Sequence, residues 1–145
     1  MQIDEEGIES TETFEGLRLT SYQDGGGVWT VGYGHTGPDV KPGMTISQGQ
    51  AESYLRTDLV TAVNAVEKEV KVPLTQGEFD ALVDFTFNLG AGALQKSTLL
   101  RLLNEGKYEL AAAQFARWDH IGAQAVAGLL RRRVAEAKEF SGVTA

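Results

Sequence analysis

The sequence FEGLRLTSYQDGGGVWTVGYGHTG, Phe14 to Gly37, decides how the rest of the chain is read. It carries two carboxylates, Glu15 and Asp24, with eight residues between them, and Thr30 beyond the second. Seven of the chain's 17 glycines fall inside it, so the backbone here makes turns that residues with a β-carbon resist. Ile8, Thr11, Phe14 and Glu15 stand at helical spacing, and Gly16 follows where a left-handed helix stop belongs. Glu15 is therefore expected on the last turn of a short helix. Leu17, Leu19 and the run Val28-Trp29-Thr30-Val31 have the alternation and β-branched content of short strands, with Asp24-Gly25-Gly26-Gly27 as the hairpin turn between them. A helix-end carboxylate and a turn carboxylate facing each other across a cleft suit acid/base work on a glycosidic bond, where one group protonates the leaving oxygen and the other activates water. By residue type alone, Glu15 reads equally as a solvated helix-end charge and Asp24 as an ordinary Asx-turn residue.

The run Glu15-Gly16-Leu17-Arg18-Leu19, Tyr22, Asp24, Gly27, Thr30, Gly32-Tyr33-Gly34-His35-Thr36 resembles, without a gap, the catalytic signature of the phage-type lysozymes, glycoside hydrolase family 24, typified by those of phages T4 and P22. The likeness continues through Asp80-Ala81-Leu82, Phe87-Asn88-Leu89-Gly90, Ser97-Thr98-Leu99-Leu100, Trp118 and Gly128-Leu129-Leu130-Arg131-Arg132-Arg133, nearly the whole chain. It implies an α+β, mainly α, lysozyme-like fold: an N-terminal lobe with a short β-hairpin or sheet and the active-site carboxylates (1–46), a connecting helix (47–70) and an all-α C-terminal lobe (71–145). It implies an endo-acting muramidase cutting the β-1,4 bond between N-acetylmuramic acid and N-acetylglucosamine in peptidoglycan, in the service of host-cell lysis. Glu15 would be the acid, Asp24 the residue that positions or deprotonates water, and Thr30 a holder of that water. Attack of water on the far face of the sugar implies inversion, which a carboxyl separation of roughly 6.5–9.5 Å would accompany. His35, Phe87 and Asn88 are the candidate substrate contacts, although Phe87 at helical spacing also reads as core and His35 as a structural hydrogen bonder. The alternatives are a lytic transglycosylase, which would not need Asp24 and Thr30, and a non-catalytic peptidoglycan-binding module, which would not need the carboxylates.

The whole chain has 145 residues, enough for one domain with a real core, or for two small lobes sharing a helix. It has no cysteine, which excludes disulfides, thiolate metal sites and cysteine nucleophiles. The histidines His35 and His120 lie far apart with no metal-binding motif around them, so no metal and no cofactor are expected. Gly25-Gly26-Gly27 is not followed by a helix or by the lysine of a phosphate-cradling loop, and no serine occupies a nucleophile elbow. The net charge of −7 argues against nucleic acid as a partner and makes long-range steering toward an anionic wall weak or repulsive. Peptidoglycan glycan strands are the expected partner and a monomer the expected state. The N-terminal MQIDEEGIESTETFEG has neither a basic region nor a long apolar run, so neither a signal peptide nor an anchor is expected, nor stable membrane association. The expected location is the host bacterial cytoplasm until a separately encoded holin opens the membrane.

Helices are marked further on. Ser47 with Gln50 forms a capping box before a long amphipathic helix, roughly Gln48 to Glu69. Thr75 with Glu78 caps the next, along which Phe79, Leu82, Val83, Thr86 and Phe87 face inward until Gly90 and Gly92 stop it. Ser97 caps a short helix from Thr98 to Asn104, stopped by Gly106. Tyr108, Ala111, Ala112, Phe115 and Trp118 line one face of another helix. Trp118 could stack on a sugar but at that spacing reads as core. Gly122 to Gly128 reads as a small-residue loop. Arg131-Arg132-Arg133 opens the last helix, where at most two of the three arginines share a face and pairing with Glu136 and neighbouring acids is favoured over an anion site.

Overall fold

A computed structural model of the chain describes residues 1–118, 120–121, 124–125 and 127–142. Contacts divide it into two units, Ile8–Thr61 on the one hand and Met1–Gly7 with Ala62–Ala145 on the other.

The unit Ile8–Thr61 holds most of α1 (Glu5–Glu15), a three-stranded antiparallel sheet and the first part of α2 (Gln48–Glu69). The strands are β1 (Arg18–Gln23), β2 (Trp29–Gly32) and β3 (His35–Thr36), in that spatial order. Tyr22 pairs with Thr30 and Thr30 with Thr36, while the register shifts between Arg18 and Tyr22. The loop after β3 folds back on β1 through Ser21 N to Met44 O at 2.8 Å and Ile46 N to Leu19 O at 2.9 Å. The capping box of α2 is reciprocal, with Gln50 N donating to Ser47 Oγ at 3.1 Å and Ser47 N to Gln50 Oε1 at 2.9 Å. Its apolar stripe Ala51, Leu55 and Leu59 is buried, as are Ile8, Val31, Tyr33, Val40 and Ile46. The helix comes close enough to the sheet that a β-carbon on Gly32 would stand 3.3 Å from that of Ala51.

Among the described residues, the regular structure of the other unit is helical apart from one small β pair. It contains α3 (Gln76–Leu89), α4 (Ala91–Lys96), α5 (Thr98–Asn104), α6 (Tyr108–Gln114) with a 3-10 turn at Phe115–Arg117, a pair of short strands β4 (His120–Ile121) and β5 (Gln124–Ala125), and α7 (Ala127–Phe140). Thr75 caps α3 as the sequence indicates, accepting from Glu78 N at 3.1 Å while Thr75 N donates to Glu78 Oε1 at 2.7 Å. Ser97 caps α5 through Leu100 N at 3.0 Å. Helix α3 packs chiefly on α7, around an aromatic cluster in which Phe85 meets Phe115 and Trp118 edge-on and Phe115 tilts against Phe140. Trp118 is accordingly a core contact.

Three details differ from the sequence reading. Gly90, at φ 97°, stops α3, but Gly92 lies inside a further helical segment, α4; six residues between two caps are enough for a short helix once tertiary packing holds it. Helix α6 ends at Gln114 and tightens into a 3-10 turn before Trp118. Helix α7 starts at Ala127, before the arginines, because Gly128 is tolerated inside it. Residues 119, 122, 123 and 126, over which part of the expected small-residue loop falls, lie outside the described residues.

Two acids sit inside α3 that periodicity did not assign inward. Asp80 and Asp84 are 2% and 1% exposed. Asp84 takes Arg132 in a bidentate pair, Nε at 2.9 Å and Nη2 at 2.8 Å. Arg133 pairs with Glu136, its Nε 2.7 Å from Oε1 and its Nη2 donating to Oε2 at 2.8 Å, so the two arginines that share the buried face are structural and Arg131 is exposed. Burial and the neighbouring Asp84 push the Glu136 carboxyl up, against the pull of Arg133 and Arg132. Asp80 Oδ1 accepts from Gln76 Nε2 at 2.8 Å and from Asp4 N at 3.3 Å, and the N-terminal segment is further tied by Gln76 Nε2 to Gln2 O at 2.8 Å and by an ion pair between the terminal amine and Glu67.

Candidate active site

Glu15 is the last residue of α1. Gly16, at φ 73°, turns the chain left-handed directly after it, a conformation that costs residues with a β-carbon free energy. The Glu15 carboxylate lies against the turn between β2 and β3. Gly34 there has φ 83°, and a β-carbon on it would fall 2.8 Å from Glu15 Oε1. Glycine is thus favoured at 34 by its dihedral, and a β-carbon there would oblige the Glu15 carboxylate to move.

Asp24 and Thr30 are joined through one residue's backbone, that of Val28. Asp24 Oδ1 accepts from Val28 N at 2.9 Å and from Gly26 N at 2.8 Å. Val28 O in turn accepts from Asp24 N at 2.9 Å and from Thr30 Oγ1 at 3.0 Å. One carboxylate oxygen is therefore committed to the turn, and Oδ2 makes no hydrogen bond among the described residues. The side chain is exposed, whereas Thr30 is 4% exposed. Because the Thr30 proton goes to Val28 O, its hydroxyl can meet a further polar group only as an acceptor.

His35, in β3, is clamped. Nδ1 lies 2.8 Å from Asp58 and Nε2 2.9 Å from Asp39, and its ring stacks on Tyr54 at 4.1 Å with 4° between the planes. Burial disfavours the charged imidazole, but the Asp39 and Asp58 carboxylates, which accept from its ring N–H groups, outweigh it and raise the pKa. Both ring nitrogens are engaged within the unit, which suits a bracing role. The spacing carries a signal for this: His35 and Asp39 are four apart, as are Tyr54 and Asp58 on α2, where that spacing puts both on one face.

Glu15, Asp24, Thr30 and His35 all belong to the unit Ile8–Thr61, where Asp24 and Thr30 are linked through Val28, while Phe87 and Asn88 stand in the other unit on the last turn of α3. Both are half-buried. Asn88 Oδ1 accepts from Arg133 Nη2 at 2.9 Å, a contact between residues far apart in sequence that no spacing rule announces. Among the described residues no group of His, Asp and Glu could hold a metal ion, and no helix is long and apolar enough to cross a membrane.

The chain is similar to several known proteins. The endolysin of Bacillus phage PZA is 45% identical over 146 residues, spanning 99% of this chain and 57% of that protein, so the chain covers little more than half the length of this relative. The endolysin of Salmonella phage P22 is 40% identical over 137 residues, 92% of this chain and 94% of that one. The muramidase domain of SpmX from Asticaccaulis excentricus superposes with a TM-score of 0.90 at 40% identity, covering 96% of this chain and 97% of that domain. The sequence model of the phage lysozyme family matches residues 12–136, from the last turn of α1 to Glu136 on α7, and the chain belongs to that family.

Proposed function

We propose that the chain is an endo-acting muramidase that hydrolyses the β-1,4 bond between N-acetylmuramic acid and N-acetylglucosamine in peptidoglycan, with inversion, in host-cell lysis. The observation that carries the reading is the division of Asp24: one oxygen is fixed by two backbone N–H groups, and the other is left without a partner among the described residues, on an exposed turn beside Thr30. That is what a water-activating carboxylate requires, namely fixed orientation with one oxygen available. Glu15, on a helix end seated against Gly34, supplies the second group that such chemistry needs.

In the proposed step Glu15 gives its proton to the glycosidic oxygen as the bond to the anomeric carbon breaks. Asp24 Oδ2 takes a proton from water whose oxygen bonds to that carbon from the opposite face. Thr30 Oγ1 accepts the second water hydrogen and so orients the attacking lone pair. A proton then returns from Asp24 to Glu15 through solvent. His35 braces the sheet from the clamp of Asp39 and Asp58, and Phe87 and Asn88 contact the glycan. We also propose a monomer, held in the host cytoplasm until the wall becomes accessible.

The test is digestion of purified peptidoglycan sacculi by the parent chain and by Glu15→Gln. Reducing-end products of the α anomer, absent with the variant, support the reading. Anhydro-sugar products would replace it with a transglycosylase, and binding without turnover would replace it with a binding module.

A further inference from the structure

The contact between Arg133 and Asn88 fixes more than packing. Arg133 is fully buried, gripped by Glu136 and set with its guanidinium carbon 5.3 Å from the Phe85 ring centroid. A guanidinium has donors only. The carboxamide of Asn88 must therefore turn its oxygen toward Arg133, and its Oδ1 accepts there at 2.9 Å. The amino end is left facing the other way, and it makes no hydrogen bond among the described residues. An asparagine in water presents donor or acceptor by a simple flip; here the flip would set an amide N–H against a guanidinium N–H and lose a charge-assisted bond.

Resting on the muramidase reading, we propose that Arg133 is a positioning residue that locks Asn88 as a donor to an amide carbonyl oxygen of the glycan substrate. Peptidoglycan offers that group in two places, the acetamido substituents of the sugars and the stem peptides. A locked amino group prefers such an acceptor because the entropy of choosing the orientation has already been spent in folding. It also discriminates against a substrate with an ammonium at the same place, which would leave the donor unmet.

The test uses three substrates: intact sacculi, sacculi stripped of stem peptides, and de-N-acetylated sacculi. Asn88→Asp keeps the atom that meets Arg133 and removes both donors; Asn88→Ala removes them without adding charge. On the carbonyl-bearing substrate each variant should raise KM about tenfold, the worth of one buried hydrogen bond, with kcat changed less than about threefold. The loss should vanish on de-N-acetylated sacculi if the acceptor is acetamido, and on stripped sacculi if it is peptide. Arg133→Lys should raise KM as well, and combined with Asn88→Ala should add nothing further. A KM within about twofold of the parent in both Asn88 variants, an equal loss on all three substrates, or additive effects of Arg133→Lys and Asn88→Ala would overturn the proposal. The same comparison of binding to intact sacculi, in the Glu15→Gln background, reads the donor independently of turnover, so a parent chain that fails to cleave defeats the muramidase reading alone.

Discussion

Replacing Asp80 by asparagine should make the chain markedly more stable above neutral pH and leave it nearly unchanged in acid. Burial, and then the carboxyl of Asp4, raise Asp80 from 3.8 to about 7. Folded protein therefore keeps a proton on Asp80 that the unfolded chain has already lost, and stability falls as pH climbs from the unfolded value toward the folded one. At about 1.4 kcal/mol per tenfold change, the rise corresponds to a penalty of about 4 kcal/mol once Asp80 is ionised. Asp4, whose own pKa is lowered by the Asp80 contact, returns part of this, so about 4 kcal/mol is the upper limit of the effect. Glu139 belongs to the same cluster. Burial and then Asp80, Asp84, Asp4 and Glu6 push it to about 8, so ionising Asp80 also makes ionising Glu139 harder. The substituted side chain would keep the geometry of the protonated acid, since an amide oxygen can accept from Gln76 and Asp4 N and the amide nitrogen can donate to the Asp4 carboxylate. Thermal unfolding of parent and Asp80→Asn from pH 4 to pH 9 reads this directly. The difference in Tm should be near zero at pH 4 and grow to roughly 5–10 °C at pH 8. Two curves that run parallel across that range would refute the argument.

Further expectations follow from single contacts. Glu15→Gln should abolish wall cleavage while leaving binding to sacculi measurable. Gly34→Ala should cost stability for its φ of 83° and lower kcat by about a hundredfold, because its β-carbon displaces the Glu15 carboxylate; a rate loss smaller than about tenfold would show that Glu15 tolerates the shift. His35 should titrate by NMR above histidine's ordinary value, and its stabilisation, present below that value, should be lost as pH rises through the folded one. His35→Gln should thus be more destabilising at pH 5.5 than at pH 9. Thr75→Ala should lower stability by about 1 kcal/mol through loss of the capping box, seen as a lower urea midpoint with the slope retained.

Local chemistry was legible in the sequence wherever one residue type decides a backbone state. Gly16 stops α1, Ser47 and Thr75 form their boxes with Gln50 and Glu78, and the long helix runs from Gln48 to Glu69. The turn at Asp24 and the placing of Glu15 on a helix end were legible for the same reason. What periodicity could not reveal was polar burial. Asp80 and Asp84 lie on α3 among residues assigned outward by hydrophobicity, and their burial is made tolerable by Arg132, from a distant segment, at Asp84 and by Gln76 together with the backbone of Asp4 at Asp80. The clamp on His35 draws partners from β3's following loop and from α2, and Asn88 is oriented by a residue 45 positions on. Short elements such as β3 and α4 are set by packing more than by propensity, so two and six residues left too little pattern to read.

The two oxygens of Asp24 also determine what a mutation there can teach. An alanine would remove the turn's acceptor together with the oxygen proposed to activate water, so lost activity would mix a collapsed hairpin with missing chemistry. Asparagine retains an acceptor for Gly26 N and Val28 N while its other arm can no longer take a proton from water. Architecture and reactivity at this position are thus separable by a single atom, and for the same reason selection on folding alone would favour Asp or Asn here without distinguishing between them.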